Sequence, residues 1–370
     1  MKHLDILMPF GLLPLEIVNN LIYKCKIPSL SILLTKSLIK TQLINPFSRA
    51  LAHENWIAQI LGLITSNNSL NSKIFSQLNF SYYNNLSIAH MVMHMLGIPI
   101  LQGYWFLINP VHIHVGSNCL ILTNIRKLSL THQSSFILFN IAEPIFLKNG
   151  YSVVFGDANN WFIRADNWKK LITATPYAAS EQDIKNWIPK GKGDKDWRRL
   201  QNEIQMSWFN HKVNIEREII GLKKINSLWL WGGSDFKKSF NIIKNFSNIP
   251  FYDSCFNLYG WMKLFNKCLC NNKKYNINIP EKIIQRPGSR ALIILDTLIE
   301  PSFLNEWSYW IKCIQKLEKN WFTKLLRALN NGSLKSLKLI LTKRNKITQF
   351  SCNRNMLRKF WIKPNLKNLS

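Results

Sequence analysis

The chain has 370 residues, 47% of them hydrophobic, which is enough to bury a sizeable core as one large domain or two ordinary ones. Its 48 Lys and Arg against 20 Asp and Glu give a net charge of +28, a balance that on its own suggests a polyanionic partner. Two features argue against nucleic acid: Lys outnumbers Arg 36 to 12, although phosphate and guanine readers favour the planar Arg fork, and residues 311–370 hold 15 Lys and Arg against the single acid Glu318, as a solvated basic surface would.

The first strand is expected at Leu4 to Met8. The opening MKHLDILMPFGLLPLEIV is apolar, but Asp5, Pro9, Pro14 and Glu16 interrupt it and no small-residue cleavage site follows, so a secretory leader is not expected. Apolar spacing predicts helices over 29–42, 46–62 and 87–96. No charge occurs from Ile74 to Ile125, yet Asn, Gln, Ser, His, Pro and Gly break that stretch too often for a membrane helix, which needs about 18 unbroken apolar residues. Strands follow at Trp105 to Ile108, Val111 to Val115 and Cys119 to Thr123, then a helix over 131–147 and strands at Ser152 to Phe155 and Trp161 to Arg164. Helices are expected over 196–210 and 215–220, a strand at Ser227 to Trp231, another at Ala291 to Asp296, a long helix over 303–330 and a strand at Leu337 to Thr342. Such alternation predicts an α/β protein with a mixed sheet covered by helices and a hairpin-rich middle segment over 104–165. Whether 1–370 is a single domain or two closely packed halves is open, with the loop at 190–196 as the candidate division and the polar stretch 271–278 as a second hinge.

Seven scattered cysteines without a C-x-x-C pair read as free thiols in a reducing compartment, hence a cytoplasmic protein. Cys268 and Cys270 are one residue apart, but no second ligand pair follows at zinc spacing. His90 with His94, and His112 with His114, could each face one way, although no carboxylate or thiolate completes a metal set. The fourteen tryptophans, Trp229, Trp231, Trp307 and Trp310 among them, stand at core spacing.

The most specific stretch runs from Trp197 to Gly233. Leu200, Ile204 and Trp208 make a buried stripe, Arg199 and Glu203 are an i, i+4 pair, Asn214 is placed as an N-cap, and Gly221 is placed as a C-terminal cap. A strand then leads into Gly232-Gly233-Ser234. This run of RLQNEIQM, H-x-V-N and INSLWLWGG resembles the RpfE-type regulatory proteins of bacteria. Gly103 to Leu122 looks like that family's Trp-rich strand and P-x-H-W-x-V-G turn, with Ile113 where Trp is expected. ALIILDTLIEP and LKLILTKRNKITQF look like its last two sheet strands, with Thr342 and Lys343 where a Gly-Glu pair is expected.

That likeness implies a cytoplasmic regulatory protein acting through a small ligand or a protein partner, without a cofactor. Some members carry the label of cofactor-independent phosphoglycerate mutase, which implies a loosely alkaline-phosphatase-like fold and, if the activity is present, divalent manganese. Such an enzyme needs a serine nucleophile near the first strand and two metals held by Asp and His. Here no Asp-Gly pair follows Asp5, and nine Asp and eight His are dispersed without a D-x-H or A-D-H-G-N pattern. Whether the chain is an enzyme is therefore open.

Ligands of open α/β sheets bind beyond the carboxyl ends of strands. Three such ends are visible: Gly232-Gly233-Ser234, Asp296 with Thr297, and Thr342-Lys343-Arg344. A second candidate is the polar set Gln201, Asn202, Glu203, Gln205, His211 and Asn214 on one helical hairpin, which reads equally as a pocket wall and as a buried network locking that hairpin to the sheet; Arg199, His112 and Asn226 are further ligand-binding candidates.

Overall fold

The structure is a computed structural model that describes residues 1–21, 25–45, 48–63, 85–246, 252–265, 277, 279–286 and 288–369. Cys268 and Cys270, and all of the stretch 271–278 except Ile277, lie outside the described residues. Two units are present, one made of residues 1–46, 52–57 and 247–370 and the other of 47–51 and 58–246. The loop 190–196, the candidate division in the sequence, lies inside the second unit.

The first unit carries a six-stranded mixed sheet. Its strands are β1 (His3–Met8), β2 (Leu38–Leu43), β9 (Ser254–Phe256), β10 (Arg290–Ile294), β11 (Ser336–Lys343) and β12 (Lys346–Asn353), in the order β2-β12-β11-β1-β10-β9. The four strands β11, β1, β10 and β9 are parallel, and β12 and β2 are added antiparallel. The parallel strands read as nearly continuous apolar runs because both faces are covered, as is usual for parallel sheets. Leu4, Ile6, Met8, Ile293, Leu339 and Phe350 pack on one side against Leu30, Leu33, Trp310, Ile314, Phe322 and Leu325.

Two sequence expectations change here. The helix expected over 29–42 ends at Thr35, and residues 38–43 pair with β12 instead, so long-range pairing overrides the local pattern. The long helix expected over 303–330 is divided into Ile299–Phe303, Trp307–Leu317 and Thr323–Asn330, with a π-helical turn at Glu318–Phe322 between the last two. Glu318, the lone acid of residues 311–370, is buried and accepts from the backbone N–H groups of Ser29 (2.7 Å) and Leu30 (3.0 Å). It thereby caps the helix Pro28–Thr35, placing a carboxylate where free amides and the helix dipole favour one.

The second unit holds a four-stranded antiparallel sheet, ordered β6-β7-β3-β8, and a separate hairpin β4-β5. Here β3 is Tyr104–Val111, β4 Ile113–Val115, β5 Leu120–Leu122, β6 Val153–Phe155, β7 Trp161–Arg164 and β8 Ser227–Asp235. This is the expected hairpin-rich middle, with β8 entering it beside β3. The helices His132–Lys148, Asp194–Trp208 and Lys212–Ile219 supply the residues that cover one face. Trp197, Leu200, Ile204 and Trp208 meet Leu138, Phe146, Trp161, Ile163, Leu228 and Leu230 there. Trp229 and Trp231 are buried, with their indole N–H groups donated to the Ala174 carbonyl and to Asn109 Oδ1, so both are core residues. No helix of the described residues is long and apolar enough to cross a membrane.

Candidate functional site

The polar hairpin of the second unit turns out to be held together from within. Asn214 is fully buried inside the helix Lys212–Ile219, whose N-cap is His211: His211 Nδ1 accepts from the Val213 N–H at 3.2 Å. The Asn214 amide donates to the carbonyls of Trp208 (2.9 Å) and Ile225 (2.8 Å), and its oxygen accepts the Ile225 N–H at 2.7 Å. Gln201 donates to Ser227 Oγ and the Leu228 carbonyl, both at 2.8 Å, tying its helix to β8. Asn226 acts as a substitute strand, accepting from Ile113 N–H and donating to Ile113 C=O, each at 2.8 Å. Of the two readings of this set, the bonds of Asn214, Gln201 and Asn226 fit the packing network. Asn202 and Gln205 point to solvent, Glu203 is half-buried, and Arg199 donates to Asn149 Oδ1 rather than to Glu203.

The histidines of this unit are engaged as well. His112 Nδ1 is 2.8 Å from the Lys224 carbonyl and its ring stacks on that of His114, while burial first, and nearby cations after it, hold its pKa below the ordinary value. His90 is buried with one ring nitrogen on Ser234 Oγ (2.6 Å) and the other on the Leu101 carbonyl (3.0 Å), whereas His94 is exposed.

Gly232 and Gly233 sit within β8 and not beyond its end. Trp105 opposes Ser234 and Leu107 opposes Trp231, so the two glycines together face Phe106 in a bulge. Gly232 has a φ of +70°, and a Cβ on Gly233 would lie 2.4 Å from the Phe106 ring. The pair exists to let the Phe106 ring and the bulge fit.

The other two strand ends do converge. In the first unit β1 lies between β10 and β11, so Asp296 and Thr342-Lys343-Arg344 flank the turn that follows β1. That turn is Pro9-Phe10-Gly11. Phe10 has a φ of +57°, an unusual conformation for a large side chain. It is held by three contacts. Its N–H donates to Thr342 Oγ1 at 3.3 Å, its carbonyl accepts the Trp310 indole N–H at 3.1 Å, and its ring lies 5.0 Å from Phe303. The Leu12 N–H also reaches the Thr342 carbonyl, at 3.1 Å. Arg344 and Asn345 form the two-residue tip of the β11-β12 hairpin, with Lys343 opposite Lys346. Burial, and after it the charge of Lys343, pull the Lys346 ammonium below its usual pKa.

The same edge carries residues that sequence reading missed. After β9 come Tyr259 and Trp261, and both reach the helix Ala52–Ile60. The Tyr259 hydroxyl is 2.7 Å from His53 Nε2, and the Trp261 indole N–H donates to Glu54 Oε1 at 2.9 Å. His53 and Glu54 are buried, and the His53 ring is edge-on to Phe10 at 6.3 Å. Burial lowers the His53 pKa to about 3, so its imidazole is neutral at physiological pH. The adjacent His-Glu pair in AHENW was the available signal. The carboxyl edge thus combines a strained aromatic turn, a neutral imidazole, a buried carboxylate and a cationic hairpin tip. Such an arrangement can receive and orient a small anion.

At the opposite, amino edge, Asp5 is buried and accepts from His3 Nε2 (2.6 Å), the Tyr252 hydroxyl (2.6 Å) and Arg290 (3.2 Å). Burial alone would raise the Asp5 pKa, but the hydrogen bonds and positive charges around it leave it lowered. His3 Nδ1 continues the chain to Ser336 Oγ at 2.7 Å. Although the buried Arg290 Nε has no hydrogen-bond partner, the bonds through Asp5 and His3 link the starts of β1, β10 and β11.

Among the described residues, the manganese that the mutase alternative requires finds no grouped donors. Among the described residues no three His, Cys, Asp or Glu side chains are grouped to hold a metal ion, and every Asp, Glu and His of the chain is a described residue.

No protein-family model matches the chain, and no curated protein matches it. Among solved structures it is similar to the cofactor-independent phosphoglycerate mutase of Thermoplasma acidophilum, with 12% identity over 100% of this chain and 94% of that one and a TM-score of 0.44. It is also similar to the PH0037 protein of Pyrococcus horikoshii, with 10% identity over 95% of this chain and 87% of that one and a TM-score of 0.49.

Proposed function

We propose that this chain is a cytoplasmic regulatory protein of RpfE type that binds a small anionic ligand, bearing phosphate or carboxylate, on the carboxyl edge of its six-stranded sheet. The observation that carries this reading is the convergence of three adjacent parallel strand ends, with Lys343 and Arg344 on one side, Asp296 on the other and the Phe10-Gly11 turn between them. Ligands of α/β sheets gather at such ends, and a rigid turn lowers the entropy lost on binding. Specificity comes from opposing charges: the cations attract the anion while Asp296 accepts a hydroxyl or amine elsewhere on the same ligand. Cys25, Cys119, Cys313 and Cys352 are free thiols, which supports the reading of a reducing compartment.

The alternative is a phosphoglycerate mutase or related phosphotransferase, which needs clustered metal donors; among the described residues no such cluster is grouped. Calorimetric titration with inorganic phosphate and with 3-phosphoglycerate separates the two. Binding of either that persists in chelator, weakens at least about tenfold in K343A/R344A and brings no conversion of phosphoglycerate supports the regulatory reading, a tenfold loss being about 1.4 kcal/mol. Manganese-dependent turnover overturns it in favour of the enzyme.

A further inference from the structure

We propose that two copies of this chain join through β2, edge to edge, into one continuous sheet. β2 is the last strand of the first unit's sheet, paired to β12 on one side with no strand among the described residues on the other. An open edge offers a row of backbone donors and acceptors to another strand, and proteins that stay monomeric usually blunt such an edge with proline, a bulge, a cover or charged side chains. β2 has no proline and no bulge, no described strand covers it, and its one charged residue is Lys40. Its sequence is LIKTQL, its pairing with β12 runs without a register break, and all of its residues except the half-buried Gln42 are exposed. Leu38, Ile39 and Leu43 expose 61%, 48% and 73% of their surface, unusually large fractions for aliphatic side chains in a sheet.

The strand's own sequence selects a second copy as the occupant. Ile39, Thr41 and Leu43 stand opposite Phe350, Thr348 and Lys346 of β12, and Phe350 is fully buried in the core. The apolar side of the sheet therefore extends onto β2 and is left open there. If β2 meets the partner's β2 antiparallel with Thr41 opposite Thr41, each Ile39 faces a Leu43 and each Lys40 faces a Gln42. Both apolar pairs fall on the core side of the sheet, and no lysine opposes a lysine. Shifting the register by two residues to centre on Lys40 puts two ammonium groups face to face and removes both Ile-Leu pairs. Register is set by such side-chain matching, so the Thr41-centred arrangement is the one the sequence favours. It is isologous and closed, as expected of a two-fold dimer.

Sedimentation velocity on the full chain tests the association, and cysteine cross-linking tests the register. The wild-type chain is expected to sediment at twice the monomer mass, and I39K/L43K to sediment as a monomer with its circular dichroism spectrum and a single cooperative melting transition retained. Because Thr41 faces its own copy, T41C is expected to form a disulfide-linked dimer under mild oxidation, while K40C, facing Gln42, does not exceed the wild-type background. A wild-type chain that stays monomeric at every concentration tested overturns the proposal. So does an I39K/L43K variant that remains dimeric, or cross-linking that is as efficient in K40C as in T41C.

Discussion

Lowering the pH should unfold the first unit through His53, and the size of the effect follows from its burial. In the unfolded chain the imidazole titrates near 6.5, whereas in the folded chain burial holds it at about 3. Between those values the unfolded state takes up a proton that the folded state refuses. The stabilisation from keeping His53 neutral is therefore complete above pH 6.5 and is lost as pH falls toward 3. At about 1.4 kcal/mol per pH unit, the loss across that window is ~4–5 kcal/mol. This is comparable with the whole stability of many domains, ~5–15 kcal/mol, so acid unfolding should begin inside the window. Urea unfolding followed by circular dichroism at several pH values measures it. The control is H53Q, which cannot titrate but keeps a polar partner for the Tyr259 hydroxyl. His90, His112 and Asp5 also have lowered pKa values and favour unfolding in acid, so only the difference between the two proteins reports on His53. That difference should change by several kcal/mol from pH 7 to pH 4, by roughly 1.4 kcal/mol per unit below the unfolded histidine pKa. Parallel pH curves for wild type and H53Q would refute the reasoning.

Two substitutions in the second unit test the assignment of its polar hairpin and glycine pair to packing. N214A leaves the Ile225 N–H and the carbonyls of Trp208 and Ile225 without the partners they now have, and should destabilise the protein by about 2–4 kcal/mol in chemical unfolding while leaving anion binding at the other unit unchanged. G233A forces a methyl into the Phe106 ring and should cost about 1–3 kcal/mol, largely recovered in the double variant G233A/F106L, as a double-mutant cycle of melting curves would show.

How much of this was legible in the sequence depended on whether a signal was local. The strands β1, β10 and β11 could be read because burial on both faces leaves nearly continuous apolar runs, interrupted by Asp5 in β1 and Lys338 in β11. β9 is only three residues long, Ser254–Phe256, and β2 carries Lys40, Thr41 and Gln42 in a segment that extends the apolar spacing of the helix before it; neither has a period of its own. Asp296 and Thr342-Lys343-Arg344 were visible as strand ends, and the order of the parallel strands makes them neighbours. Gly232-Gly233 looked the same in sequence but is a bulge, a distinction that needs Phe106 on the facing strand. His53 and Glu54 were missed because their partners Tyr259 and Trp261 lie more than 200 residues away.

If the carboxyl edge of the six-stranded sheet takes an anion, amide NMR spectra recorded during titration with inorganic phosphate will show it. The N–H signals of Phe10, Gly11 and residues 342–345 should move together and saturate, with little change around Asn214. Shifts confined to other residues, or none at all, would contradict it.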